Sequence, residues 1–130
     1  MKILVGYDYS TVTQEVLALA KQQAKAFNAE VHLLRSLVQD PELQHDAVQQ
    51  AEQNLDQVGR EFAAMGLACD THVVVSNLSA GEYIVQFAEQ NSIDLIVIGV
   101  RRRSKVGKLL FGSNAQLIIL TAPCPVLTVK

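Results

Sequence analysis

The sequence is poor in cysteine, and it has no long apolar run. Its two cysteines, Cys69 and Cys124, lie far apart, so no disulfide framework is predicted and a reducing compartment is expected. The longest apolar runs are far shorter than the ~20 residues that a membrane-spanning helix needs. Met1-Lys2 leads directly into an apolar run, without a signal-peptide arrangement. We therefore expect a cytoplasmic protein that does not insert into a membrane.

The sequence also lacks an excess of positive charge, because its formal net charge is −2. Basic residues are nevertheless concentrated, since five of the eleven lysines and arginines lie between positions 101 and 108. One basic loop, an acidic total and no interleaved aromatic side chains argue against nucleic-acid binding. The basic loop is therefore either a solvated turn or a site for a more specific anion.

Strand and helix patterns alternate along the whole chain. About half of the residues are apolar, which is enough for a core, and we predict a single domain over residues 1–130. Helical patterns separate five short apolar runs, which are the predicted strands: Lys2–Asp8, Glu30–Val38, Thr71–Ser76, Asp94–Gly99 and Val126–Val129. Parallel strands need crossover connections, so this order predicts an α/β fold with an open parallel sheet covered by helices on both faces.

Capping signals predict where the helices begin. Ser10 or Thr11 can cap the first helix, and Asp40-Pro41 predicts the start of the second, because aspartate suits the N-cap and proline the first helical position. Ser79 and Glu82 have the spacing of a capping box and predict the start of the third helix. The fourth helix is expected to begin near Ser113.

A ligand site is expected where the parallel strands end. In open α/β sheets, ligands bind beyond the carboxyl ends of the strands. Asp8 ends the first predicted strand, where it can contact a ligand or cap the next helix, and Gly99 ends the fourth. The basic loop after Gly99 finishes at Gly112-Ser113, where a helix start offers free N–H groups and a favourable dipole to an anion.

Two common phosphate-binding motifs are absent. A P-loop requires glycine five positions before Gly107-Lys108, where this chain has Arg102, and Ser or Thr afterwards, where it has Leu109. The dinucleotide fingerprint is missing too, because Gly6 is the only glycine near the end of the first strand. Ser113 has no histidine or carboxylate at motif spacing, so no catalytic residue is predicted.

The histidines do not indicate a metal site. His32, His45 and His72 are scattered, and no pair has the spacing of metal ligands, so no metal site is predicted. His32 and His72 can be neighbours across adjacent strands, but no site is inferred from them.

The segment from Gly99 to Ser113 resembles the nucleotide-binding segment of the universal stress protein family. That family's ATP-binding pattern is Gly, two residues, Gly, nine residues, Gly, then Ser or Thr. Three other segments are similar to the family's first-strand end, fourth strand and C-terminal signature, namely Val5–Ser10, Asp94–Gly99 and Pro123–Val129. One position departs from the pattern, because Arg102 stands where the second glycine is expected.

The resemblance implies a Rossmann-like sheet in the order 3-2-1-4-5 and a homodimer joined through the C-terminal strand. It also implies a regulatory protein of the stress response with an unknown protein partner. The implied ligand is ATP or AMP, with magnesium as an open question, and any enzymatic activity is at most slow ATP hydrolysis. The implied binding residues are Gly6, Tyr7, Asp8, Ser36, Leu37, Gly99, Arg101, Arg102, Gly112, Ser113 and Asn114.

Arg102 leaves two outcomes open. Its guanidinium can replace backbone donors and bind a phosphate in bidentate fashion. Alternatively the loop shifts outward and nucleotide affinity is lost, because arginine carries a Cβ and disfavours positive φ. The chain would then be a nucleotide-free interaction module whose basic loop docks an acidic partner. The presence of Asp8 and Gly112-Ser113 favours retained binding.

Overall fold

A computed structural model describes residues 1–8, 13–100 and 112–130, and the backbone of residues 102–103 and 109–110. The predicted alternation of strands and helices is confirmed. In chain order the elements are β1 (Lys2–Gly6), α1 (Thr13–Phe27), β2 (Glu30–Val38), α2 (His45–Ala64), β3 (Cys69–Ser76), α3 (Ala80–Gln90), β4 (Leu95–Gly99), β5 (Arg102–Arg103), β6 (Leu109–Leu110), α4 (Ser113–Thr121) and β7 (Val126–Val129). The short antiparallel pair of β5 and β6 was not predicted.

The main sheet has five strands in the order β3-β2-β1-β4-β7, and every neighbouring pair is parallel. When only the five strands of this sheet are numbered along the chain, β7 is the fifth strand and the order is 3-2-1-4-5, as the resemblance implied. The chain builds outward from β1 to β3 and then crosses back to β4. The order therefore reverses between β1 and β4, and their carboxyl ends flank the crevice in which such folds bind ligands.

Helices cover both faces of the sheet because the central strands are apolar on both sides. Along β1, Ile3 and Val5 face one layer while Leu4 faces the other, as the two-residue period of a strand requires. The first layer buries residues of α1 and α2, including Leu17 and Phe62. The second layer buries residues of α3 and α4, including Ile84 and Ile118.

The predicted start of α2 at Asp40-Pro41 is wrong. Asp40 Oδ1 accepts a hydrogen bond from the Glu42 N–H at 2.8 Å, and the Asp40 carbonyl accepts one from Leu43 N–H at 2.9 Å. These bonds close a turn, and α2 begins at His45 instead. Aspartate followed by proline suits turns as well as helix starts, so the local pattern does not separate the two.

The other helix signals can be compared directly with the structure. Ser79 Oγ accepts from the Glu82 N–H, and Glu82 Oε1 accepts from the Ser79 N–H, both at 3.2 Å, so the predicted capping box is confirmed. Gly66 closes α2 with a φ of +79°, a conformation that favours glycine. The proposed caps Ser10 and Thr11 lie outside the described residues. None of the described helices has the length and apolar character needed to cross a membrane.

Candidate functional site

A cleft of about 280 Å³ opens at the carboxyl ends of the central strands. Its size is near the lower end of the ~300–1,000 Å³ typical of small-molecule sites. Eight of the residues named from the sequence line it: Gly6, Tyr7, Asp8, Ser36, Gly99, Gly112, Ser113 and Asn114. Segments more than 100 residues apart in the chain therefore meet at the place where the strand order reverses.

Three other residues named from the sequence are not among the lining residues. Leu37 follows Ser36, and neighbouring residues of a strand point to opposite faces of a sheet. Ser36 shares its face with Leu34, which does line the cleft. Arg101 lies outside the described residues, and only the backbone of Arg102 is described, within β5.

The structure adds lining residues that the sequence patterns did not identify. They are Leu34, Arg35, Ala80, Ile84, Ile98, Ala115 and Ile118. Arg35 lies beside the predicted Ser36, and Ala80 directly follows the capping box of α3, so both had a local signal. The isoleucines had none, since an apolar residue on a helix or strand is ordinarily read as core.

The floor of the cleft depends on Gly6. A Cβ at Gly6 would lie 3.1 Å from Ile84 Cδ1 and 3.1 Å from Ile98 Cγ2, so the lack of a side chain at Gly6 lets these two side chains pack closely over the end of β1. Beyond Gly6, the Tyr7 N–H donates to the Leu34 carbonyl at 2.9 Å and continues the pairing with β2. Because β2 runs on to Val38, Ser36 extends past the end of β1 and borders the cleft.

The start of α4 faces the cleft without a side-chain cap. Gly112 is the N-cap residue, and its carbonyl accepts the first helical hydrogen bond from Gln116 N–H at 3.0 Å. The N–H groups of the first helical turn have no acceptor within the helix. A Cβ at Gly112 would meet no described atom within 4 Å, so none of the described residues fills the space beside these donors. Donors, dipole and space together suit an anion.

Asn114 holds this helix start in place. Its Oδ1 accepts from the Gly81 N–H of α3 at 3.0 Å, and its backbone oxygen would lie 2.9 Å from a Cβ at Gly81. Glycine at position 81 therefore allows the two helices to approach closely. Because this bond uses the amide oxygen of Asn114, it fixes the orientation of the side-chain amide and leaves its NH₂ group available as a donor.

The hydroxyl of Ser36 at the wall of the cleft has no hydrogen-bond partner among the described residues. Its Oγ atom is also buried. An unpaired buried hydroxyl costs about 1–3 kcal/mol, so a ligand atom that pairs with it would gain in affinity. The cleft thus offers anion-binding donors at α4, apolar isoleucine walls and polar groups near the end of β2. This arrangement suits an anionic ligand with a flat apolar part.

Comparison with known proteins decides the family. The family model described as "Universal stress protein family" matches residues 1–130. The chain belongs to the universal stress protein family. A curated family member from Thermus aquaticus, "Universal stress protein in QAH/OAS sulfhydrylase 3'region", is 31% identical over 134 aligned residues, with 98% of this chain and 97% of that protein covered.

Solved structures of family members agree with this fold. A universal stress protein from Archaeoglobus fulgidus is 31% identical, with a TM-score of 0.87 and coverage of 100% of this chain and 98% of that chain. A structure of the universal stress protein from the same organism in complex with dAMP is 27% identical, with a TM-score of 0.83 and the same coverage. A family member of similar sequence and fold has therefore been solved with an adenine nucleotide.

Proposed function

We propose that this universal stress protein is a regulatory protein of the stress response that binds an adenine nucleotide, ATP or AMP, in the cleft. The observation that carries the proposal is the uncapped start of α4, which opens at Gly112 into space beside the ends of β1 and β4. A phosphate there would receive hydrogen bonds from backbone N–H groups and interact with the positive end of the helix dipole.

Each part of a nucleotide has suitable groups in or beside the cleft. Ser113 and the NH₂ group of Asn114 are donors for phosphate and ribose oxygens, beside Gly99 and Gly112. Asp8 is an acceptor for hydroxyl or amino groups of the adenosine. Gly6, Tyr7 and Ser36 would border the base. Arg101 and Arg102 add positive charge to the loop between Gly99 and Gly112.

The dAMP complex of the Archaeoglobus fulgidus protein supports an adenine nucleotide over other anions. Magnesium is proposed only as a companion of the phosphates of ATP, because such ions commonly bind through substrate phosphates. No enzymatic step is proposed, because the sequence has no histidine or carboxylate at motif spacing from Ser113.

Titration calorimetry with ATP and with AMP, each with and without magnesium, tests the proposal. We expect saturable binding at or below about 1 mM, weakened at least about tenfold by Asp8→Asn. Asp46→Asn is the matched control, because Asp46 is an exposed aspartate of α2 outside the cleft. No binding of either nucleotide at about 1 mM would overturn the proposal, as would equal binding by the Asp8→Asn variant.

A second candidate function rests on Arg102, which replaces the second glycine of the family pattern. In this alternative the chain is a nucleotide-free module whose basic loop docks an acidic partner. Calorimetry on Arg102→Gly separates the two. A gain of ATP binding from none supports the nucleotide-free module, whereas a loss supports a guanidinium that binds phosphate.

We also propose that residues 1–130 form one domain that acts in the cytoplasm as a homodimer joined through β7. Two core layers on opposite faces of one sheet support the single domain. The strand β7 lies at a sheet edge, where it pairs among the described strands only with β4 and so offers backbone groups to a second copy. Light scattering should give twice the mass of one chain, and a monomer at about 100 μM would contradict the dimer.

A further inference from the structure

A second group of polar side chains lies at the opposite end of the sheet, near the amino-terminal ends of β2 and β3. Glu30 and His32 belong to β2, and Asp70 and His72 belong to β3. The register pairs His32 with Asp70 and Leu34 with His72. Because alternate residues share a face and paired residues lie side by side, all four side chains belong to the same face of the sheet.

Three of these side chains converge on one point. Glu30, His32 and Asp70 each offer one ligand atom, and the three atoms lie within 4.8 Å of one another. His32 Nε2 is 3.4 Å from Glu30 Oε1, and His32 Nδ1 is 4.0 Å from Asp70 Oδ2. A tetrahedral zinc site has ligand atoms about 3.4 Å apart, since its bonds measure about 2.0–2.2 Å. Glu30 Oε1 and His32 Nε2 already have that spacing, and rotation of the Asp70 side chain from Nδ1 towards Nε2 would bring a third ligand to the same ion.

His32 supplies a buried nitrogen without a hydrogen-bond partner. The residue is 8% exposed, and its Nε2 makes no hydrogen bond to any described residue. The carboxylate of Glu30 is within ion-pair distance of this nitrogen but not in hydrogen-bonding geometry. Glu30 and Asp70 are much more open, with side chains 41% and 64% exposed, so an ion can reach the cluster from solvent.

His72 and Phe87 hold the His32 ring in place. His32 Nδ1 lies 3.1 Å from His72 Nε2, and the two rings stack with centroids 5.4 Å apart. Phe87 of α3 lies against both rings, at 5.8 Å from His32 and 4.9 Å from His72. When His32 donates its Nδ1 proton to His72, its Nε2 lone pair faces a carboxylate. A cation between nitrogen and carboxylate would satisfy both groups.

We propose that Glu30, His32 and Asp70 bind a divalent transition-metal ion of the zinc class. Imidazole and carboxylate ligands suit such ions, and three protein ligands leave one coordination position open to solvent. His72 is a positioning residue, because a metal-binding histidine is typically oriented through its other ring nitrogen. The sequence did not predict this site, since its ligands are contributed by two strands and the histidine has no partner at motif spacing.

The test measures Zn²⁺ binding to the full-length, chelator-treated protein by calorimetry without nucleotide, so it is independent of the proposed function. We expect one Zn²⁺ per chain, with affinity reduced at least about tenfold by Glu30→Gln and by Asp70→Asn. Both substitutions are at partly or fully exposed carboxylates, so thermal unfolding without metal checks that the variants are folded. Co²⁺ in place of Zn²⁺ should show visible absorption when it is bound through His32. This absorption should be lost in His32→Gln.

The matched control is His45→Ala, which removes an exposed histidine of α2 that is outside the cluster. Its Zn²⁺ affinity should equal that of the unsubstituted chain. The proposal is overturned if Zn²⁺ does not bind at about 100 μM, or if binding survives Glu30→Gln and Asp70→Asn. It is equally overturned if His45→Ala abolishes binding, because the ion would then be held at the surface of α2.

Discussion

The Gly81 N–H donates to Asn114 Oδ1 across 3.0 Å, and this bond joins the first turns of α3 and α4. The two helix starts differ in how their N–H groups are satisfied. The start of α3 is closed by its own Ser79 capping box, whereas the start of α4 has no side-chain cap. The capped start of α3 thus contacts the uncapped start of α4 and helps to fix its position at the cleft.

Gly81→Ala should destabilise the protein by about 1–3 kcal/mol, because the new methyl would meet the Asn114 backbone oxygen at 2.9 Å and its Cα at 3.0 Å. Alanine is favoured over glycine in a helix by about 1 kcal/mol when nothing clashes. A loss of stability therefore means that the clash outweighs helix propensity. Urea unfolding at 25 °C measures the change in the free energy of unfolding.

The Asn114→Ala variant provides the control for this clash. Alone, it should cost about 1–3 kcal/mol by leaving the Gly81 N–H without its acceptor. Combined with Gly81→Ala, it should not restore stability, because the two nearest atoms belong to the backbone of Asn114. Rescue in the double variant would show that the side chain, and not the backbone, sets the distance between α3 and α4.

Gly6→Ala should cost about 1–2 kcal/mol, since its Cβ would lie 3.1 Å from both Ile84 Cδ1 and Ile98 Cγ2. Ile84→Val removes the first of these atoms. The two substitutions should therefore couple favourably, by at least about 0.5 kcal/mol in a double-mutant cycle of urea unfolding. Ile118→Val is the control, because Ile118 lines the cleft but none of its atoms is among those nearest to a Cβ at Gly6. Equal coupling for both valine variants would contradict the steric explanation.

Local signals in the sequence were enough for most of the fold. The strand Glu30–Val38 was predicted with the bounds that the structure shows, because an apolar run between turn residues identifies a buried strand without reference to the rest of the chain. The capping box of Ser79 and Glu82 is equally local. Asp40-Pro41 shows the limit, since the same two residues can open a helix or close a turn, and here they close a turn.

The candidate site was only partly predictable, since much of it is created by tertiary contacts. Asp8 and Gly112 could be named because strand ends and helix starts are visible in the sequence. Ile84 could not, because only the packing of α3 against β1 brings it over Gly6. The sequence allowed His32 and His72 to be neighbours on adjacent strands, and their ring nitrogens lie 3.1 Å apart, but the approach of Glu30 and Asp70 to them depends on the register of β2 and β3.

Cys124 should alkylate slowly at neutral pH. Burial, with a smaller contribution from the Asp94 carboxylate, raises the pKa of its thiol above the ordinary 9.0. The thiolate is the reacting species, so the rate with iodoacetamide should keep rising as the pH increases beyond 9.0. Peptide mass spectrometry gives the rate at Cys124 separately from that at Cys69, whose pKa is raised by burial and Asp70 to about 11.

Unfolding in urea is the control for this thiol, because it removes burial and should bring the midpoint of the rate profile back to its ordinary value. The midpoint is the informative quantity, since restricted access lowers the rate at every pH without moving it. A midpoint below 9.0 in the folded protein would contradict the prediction, because it would mean that a nearby positive charge outweighs burial and Asp94.

Gly112→Asp should raise stability while it weakens nucleotide binding. At the N-cap of α4 the new carboxylate can accept from the first-turn N–H groups and interact with the helix dipole, for a gain of about 0.5–1 kcal/mol. The same carboxylate would extend into the space beside Gly112 that no described residue fills and repel a phosphate, so ATP affinity should fall more than about tenfold. Gln44→Asp is the matched control, because Gln44 is the N-cap of α2, also has no side-chain cap and is not a residue of the cleft. It should gain similar stability in urea unfolding with unchanged ATP affinity in calorimetry. If Gly112→Asp gains stability and binds ATP as before, the phosphates do not lie at the start of α4.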